Sequence, residues 1–267
     1  MPSLPNAPLV EAIFELRWGE AATNPDQPTT WIFSEEDSEF FPGEFYRVAR
    51  EAGFASIERP NPPGVSFPHM VSHRFRQAPG KWPCYQIGLG LFTANQIKDG
   101  YRWNDFKSVI RQGLTLLDRG HPRGLNGLPP FWVELRYRDA FRLGPRETPA
   151  DFIANKLTVR VEPPSEFLAG RNLEPETLAP IRIGLEIHAS APPATVIIDL
   201  MQAQIQNEPG FVMDTIVRSI PPDCPPFALE DLDAWLEDAH RIQKHAFETL
   251  IAPEFAASFQ NTAEDQP

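Results

Sequence analysis

Cysteine is nearly absent from this 267-residue chain: Cys84 and Cys224 stand far apart and in no CxxC arrangement. That argues against a disulfide framework and a cysteine zinc site, and predicts free thiols in a reducing compartment. The N-terminus carries no basic stretch followed by an apolar core, and no apolar run approaches the ~20 residues of a membrane helix. A cytoplasmic protein without membrane contact is therefore expected. Signatures of common chemistries are missing too. There is no P-loop, no GxSxG elbow and no GxGxxG, since Gly88-Leu89-Gly90 lacks the third glycine and runs on into more strand. Cations are in deficit, with 24 Lys and Arg against 36 Asp and Glu, for a net charge of −12. Residues 228–267 alone carry −7, nine acids less two bases. Such a chain repels a phosphate backbone, which argues against nucleic-acid binding. His69 and His73 form HxxxH, but in the strand expected there they lie roughly 13 Å apart, too far to share one ion. No metal site and no cofactor is expected.

Proline, by contrast, is abundant, with thirty residues gathered in pairs such as Pro129-Pro130, Pro163-Pro164, Pro192-Pro193 and Pro221-Pro222. The pairs fall between periodic segments and mark rigid loops. The clearest periodic segment comes first. Val10, Ala12, Phe14, Leu16 and Trp18 form one face of a strand; Leu9, Glu11, Ile13, Glu15 and Arg17 form the other. Helical spacing appears over 40–52 and 103–117, and most strongly over 228–251, where Leu229, Leu232, Trp235, Leu236, Ala239, Ile242, Ala246 and Leu250 make one stripe. Strands are expected over 54–59, 69–77, 83–97 as one long run, 131–142, 181–190 and 194–204. Long loops are expected at 21–30 and 163–180. Gly113 inside the second helix would cost about 1 kcal/mol against alanine.

The order strand, helix, hairpin, helix, then strand, hairpin, helix suggests an α+β fold. Its sheet would be mainly antiparallel, in two related α/β halves (1–125 and 126–252), closed by the long C-terminal amphipathic helix and followed by a tail over 253–267. The two halves could form one domain.

Three stretches resemble a sporadically distributed, uncharacterised family of bacterial proteins of about this length. They are Leu4-Pro5-Asn6-Ala7-Pro8-Leu9-Val10-Glu11-Ala12-Ile13-Phe14-Glu15-Leu16-Arg17, the run from Glu134 to Phe141, and the His-bearing helix from Ala239 to Ile251. In the second, the family often has an LRYxN-like run, from which Asp139 departs. The resemblance implies neither an activity nor catalytic positions.

Candidate site residues come from the polar faces of the strands. Glu15 and Arg17, with Glu11, share one face; Glu134, Arg136 and Arg138 share another; Arg182, Glu186 and His188 share a third. In one sheet these faces could line a cleft, with Arg136 and Arg138 holding a carboxylate or phosphate. Against that stands a plain network of cross-strand ion pairs, each worth little when exposed. Asp199, embedded in Val196-Ile197-Ile198-Asp199-Leu200, is a catalytic candidate as a desolvated acid, with His188 beside it. The alternative for Asp199 is a polar-face pairing with Arg182. The reading that follows is a non-catalytic binding or protein-interaction protein, of a regulatory, immunity or defence-related kind. It would take a protein partner, a small anionic ligand or a second copy of itself. The alternative is an enzyme acting on a small anionic substrate.

Overall fold

The computed structural model describes residues 7–22, 30–62, 65–98, 101–160, 164–169 and 181–259. Leu9–Trp18 form β1, and Ala12, Phe14, Leu16 and Trp18 are fully buried along one face. Val10 departs from the expected alternation: it is 44% exposed and Leu9 is buried instead. The cause is a slip in register against the strand Pro130–Arg142 between Leu9 and Glu11, an irregularity that turns the first residues over.

Glu20–Ala22 (β2) and Thr30–Ile32 (β3) pair as a separate small ribbon. A π-helical turn, Glu36–Phe40, leads into α1, Phe41–Glu51, which buries Phe41, Phe45, Val48 and Ala49. Ser56–Glu58 (β4), Val71–Arg76 (β5), Cys84–Gly88 (β6) and Leu91–Ile97 (β7) follow as a meander. Here the single strand expected over 83–97 is corrected to a tight hairpin. Gly88 opposes Leu91, and Gly90 takes φ +68°, a left-handed conformation that glycine adopts without steric cost. The chain approaches Gly88 closely: a Cβ there would lie 1.9 Å from the Met70 carbonyl oxygen.

Trp103–Gly120 form α2, with Phe106, Ile110, Leu114 and Leu117 buried. Gly113 is a packing position and not an exposed weakness. A Cβ on it would stand 2.7 Å from ring carbons of both Phe92 and Tyr85. Gly113→Ala should therefore destabilise by about 1–3 kcal/mol despite alanine's better helix propensity. A rise in urea midpoint would show that the sheet gives way without cost.

Pro130–Arg142 form β8. Pro149–Lys156 form α3, which buries Phe152 and Ile153 and is capped by the Thr148 hydroxyl, which accepts from the Asp151 N–H. Ser165–Leu168 form α4 inside the expected loop, most of which lies outside the described residues. Arg182–Ser190 (β9) and Pro193–Ile205 (β10) make the expected hairpin. Glu208–Ser219 then form β11, a central strand that the sequence reading did not place. Gln206 and Asn207, at φ +53° and +69°, turn the chain into it. Leu229–Leu250 form α5. Residues 253–259, assigned to a tail from the sequence, instead include the short helix α6, Pro253–Ser258. Its Phe255, with Phe259, packs on Phe141, and Phe255 also meets Phe152. The last eight residues lie outside the described part.

The fold is α+β, built on one nine-stranded antiparallel sheet in the order β4-β5-β6-β7-β1-β8-β11-β10-β9. Contacts such as Phe45–Phe75, Trp18–Phe41 and Phe152–Phe211 place α1, α2, α3 and α5 on one face of it. The other face carries Glu15, Arg17, Glu134, Arg136 and Arg138. Among the described residues no helix is long and apolar enough to cross a membrane.

Candidate functional site

The polar sheet face is a network, not a cleft. Glu15 and Glu134 oppose each other across β1 and β8. Arg17 Nε donates to Glu15 at 2.6 Å. Burial raises the Glu15 carboxyl, an effect that the nearby Arg17 charge partly offsets. Glu134 is buried and accepts from Arg136 at 2.9 Å and from Arg218 at 2.8 Å. Arg17 and Arg218 both stack on Trp132, at 4.0 and 3.8 Å from its ring centroid. Arg138 is held bidentately by Asp214 at 2.8 Å, and Arg182 by Asp199 at 2.8 Å. Asp199 is thus a polar-face partner of Arg182, and Glu186 and His188 are exposed on the edge strand. The structure brings Glu15, Arg17, Arg136 and Arg138 onto neighbouring strands of one face. It pairs each guanidinium with a carboxylate, Glu134 serving both Arg136 and Arg218.

A different set of residues surrounds a cavity of about 810 Å3 on the helix-covered face. Five parts of the chain build it: Ala7-Pro8-Leu9 at the entry to β1, Lys98, Tyr101 and Arg102 with the first turn of α2, Tyr137 and Asp139 from β8, Thr215 from β11, and one face of α5. On α5, His240, Gln243, Lys244 and Phe247 recur at helical spacing and point the same way. Two ion pairs hold α5 against α2 beside the cavity, Lys107–Glu237 at 2.7 Å and Arg111–Asp233 at 3.0 Å. The Gln243 side chain fixes α5 to the sheet by donating to the Leu135 and Thr215 carbonyls at 2.8 and 2.7 Å. Its own oxygen is buried without a partner.

The buried end of the cavity carries the chemistry. Tyr101 and Tyr137 share a hydrogen bond through their hydroxyls, and Tyr137 Oη lies 3.0 Å from His240 Nδ1. Burial pushes both phenols above their ordinary range and pushes His240 down to about 4. At neutral pH all three are uncharged and form an unbroken Tyr–Tyr–His hydrogen-bonded chain. Trp103, the first residue of α2, stacks on His240 with ring centroids 3.9 Å apart and planes 8° from parallel. Asp139, only 5% exposed, follows Val133, Leu135 and Tyr137 on the core side of β8. Burial, with Asp214 nearby adding repulsion, raises its carboxyl to about 7. The outer end is charged and exposed, with Lys98, Arg102 and Lys244 against Asp105 and Glu248.

None of the candidate site residues expected from sequence lines this cavity. Leu9, Tyr137 with Asp139, and His240 bring to it the three stretches Leu4–Arg17, Glu134–Phe141 and Ala239–Ile251. The available signal was phase: Asp139 is an acid in register with the buried side of its strand, whereas Asp199 is out of register with Ile198 and Leu200.

His69 Nε2 lies 3.0 Å from the Trp18 carbonyl oxygen, and His73 Nδ1 meets the Ser72 hydroxyl at 2.9 Å. Among the described residues no group of three or more His, Cys, Asp or Glu is arranged to hold a metal. Both cysteines are free, and burial pushes their thiols up, Cys84 to about 11 and Cys224 to about 12. Trp235 is buried and donates to the Ser219 hydroxyl at 2.8 Å, a core position. Comparison with protein-family models, with curated proteins and with solved structures gives no match to this chain.

Proposed function

We propose that this is a non-catalytic cytoplasmic binding protein whose ligand is a small, flat molecule bearing a negative group, held in the cavity between α2, α5 and β8. One observation carries the reading: an 810 Å3 cavity with aromatic walls (Tyr101, Trp103, Tyr137, Phe247) and three cations at its mouth. That volume is in the range of roughly 300–1,000 Å3 usual for small-molecule sites. The rings supply a stacking surface, and Lys98, Arg102 and Lys244 outnumber the two acids beside them, which suits an anionic tail. The resemblance to a bacterial family fits this reading, since its three stretches meet at the cavity.

The test is calorimetric titration with a panel of nucleotides and aromatic carboxylates, on the natural chain and on Arg102→Glu. Saturable binding weakened about tenfold or more by the substitution is expected, the size of losing one charge-assisted contact. Titrations that show no saturable binding, or binding indifferent to Arg102, would remove the proposal.

A catalytic version of the same site, acting on a small anionic substrate, is favoured by a separate feature. Asp139 titrates near neutrality beside a His–Tyr–Tyr chain, which is the equipment of a general acid or base. In that version Asp139 replaces Asp199 and His188 as the proton carrier. Turnover of a bound panel member, abolished by Asp139→Asn, would select it.

We also infer that 1–125 and 126–252 are related halves and that α5 closes the second. Each half runs from a central strand (β1 or β8) through a helix (α1 or α3) and a meander whose last strand returns to pair with that central strand (β7 or β11). A long helix follows in each case (α2 or α5).

A further inference from the structure

The nine-stranded sheet ends unequally. On one side the edge is β4, three residues long, with Arg76 from its neighbour reaching over to Glu58 at 3.4 Å. On the other it is β9, nine residues long, which pairs only with β10 among the described residues. Long edges are normally blunted by lysine, proline, a bulge or a covering element. β9 has no lysine, no proline and no register shift against β10. Among the described residues its core-side face is apolar and only partly covered, Ile183 being half-buried. Ile183, Leu185 and Ile187 continue the row of Leu200, Ile198 and Val196, which are 3%, 6% and 8% exposed. Leu185 is 40% exposed, Ile187 57%, and Ile181, just before the strand, 72%. The apolar surface of the sheet thus runs one strand beyond the helices that bury it.

We propose that β9 pairs antiparallel with β9 of a second copy of this chain, about a two-fold axis through Gly184. Backbone direction and charge select this register. The Gln202 N–H donates to the Ile181 carbonyl at 3.0 Å. Bonding alternates along a strand, so the odd residues turn inward to β10 and Arg182, Gly184, Glu186 and His188 turn N–H and C=O to the free side. With Gly184 opposite itself, Arg182 faces the second copy's Glu186, twice by symmetry. Ile181 then meets Ile187 and Ile183 meets Leu185 on the apolar side. A two-fold through Glu186 would set that acid against itself and is disfavoured. The pairing is isologous, so it closes as a dimer and leaves the guarded β4 edges at the two ends.

Gly184→Cys tests the axis directly, since among the described residues nothing lies within 4 Å of a Cβ at that position. Facing Cα atoms in such a pair stand about 5.5 Å apart, within disulfide range. Mild oxidation should convert most of the variant into a covalent dimer whose cross-linked peptide maps to position 184 on both chains. Sedimentation velocity of the natural chain between about 1 and 200 µM should show a monomer–dimer equilibrium, with Glu186→Arg raising its dissociation constant about tenfold or more. A natural chain that stays monomeric over this range overturns the proposal. So does a dimer that ignores Glu186→Arg and leaves Gly184→Cys uncross-linked, because it would use another face.

Discussion

Replacing Asp37 with alanine should cost about 3–5 kcal/mol of folding stability, the scale of removing one partner from a buried charged network. The Asp37 carboxylate is 2% exposed and accepts five hydrogen bonds. Trp18 Nε1 donates to it at 2.5 Å, His121 Nε2 at 2.9 Å, Arg123 at 2.8 Å, and the Ser34 N–H and hydroxyl at 2.9 and 2.8 Å. These donors come from the end of β1, from the residues before the π-helical turn and from those after α2. One side chain therefore ties three parts of the fold. Its removal strands the Trp18 and His121 N–H groups in the interior, where an unmet donor costs about 1–3 kcal/mol. Asp37→Asn keeps the shape but turns one acceptor into a donor facing donors, so it should recover little. The same site predicts acid lability. Burial would raise the carboxyl, but the bonds from His121, Trp18 and Ser34 outweigh it and hold it well below the usual carboxylate range. The unfolded chain then binds the proton first as pH falls. The contribution of Asp37 is complete above the ordinary aspartate value near 3.8 and drains away below it. Urea midpoints from pH 7 to pH 3 should fall more steeply in the natural chain than in Asp37→Ala. Parallel curves would show that the knot is not what acid breaks.

Much of this architecture is legible in the residue pattern, and the parts that are not share a cause. From Ala12 onward β1 is read correctly, as is most of the α5 stripe, because each has one apolar side over several turns or pleats; Val10 and Leu229, at the element starts, are exposed instead. The hairpin at Leu89-Gly90 is lost because both of its strands lie in the middle of the sheet, so apolar residues run through the reversal and only a glycine marks it. β11 is lost for a related reason. Phe211, Met213, Thr215 and Val217 do alternate, but Glu208, Pro209 and Gly210 at its head read as a loop, and a strand paired on both sides is fixed by neighbours remote in sequence. The polar sheet face was visible as alternating charge. Its mutual neutralisation, Glu134 between Arg136 and Arg218, required the strand order to be known. The cavity is the least legible element. Tyr101, Tyr137 and His240 are spread over 140 positions of chain, and each alone is an ordinary aromatic.

Asp139 shows what the phase of a strand can reveal, and it supports the opposite experiment: a substitution that strengthens the fold. Replacing Asp139 with asparagine should stabilise the protein by about 4 kcal/mol at pH 8 and by nothing at pH 4. The carboxyl is held at about 7 in the folded chain against 3.8 when free, chiefly because burial opposes its charge. The folded state therefore keeps the proton longer than the unfolded one. Stability falls as pH rises from about 4 to about 7, by up to ~1.4 kcal/mol per unit, and the full cost persists above. Asparagine has nearly the same shape and no charge to desolvate, so its stability should be flat over that window. Urea denaturation of both chains at pH 4, 6 and 8 gives the result as a gap that opens with pH. A gap that stays closed would mean that Asp139 ionises freely in the fold, and the proton-carrying version of the cavity would fail with it. A gap that opens while the asparagine chain loses ligand binding or turnover would show the opposite: the charge is kept, at a cost in stability, for the work of the site.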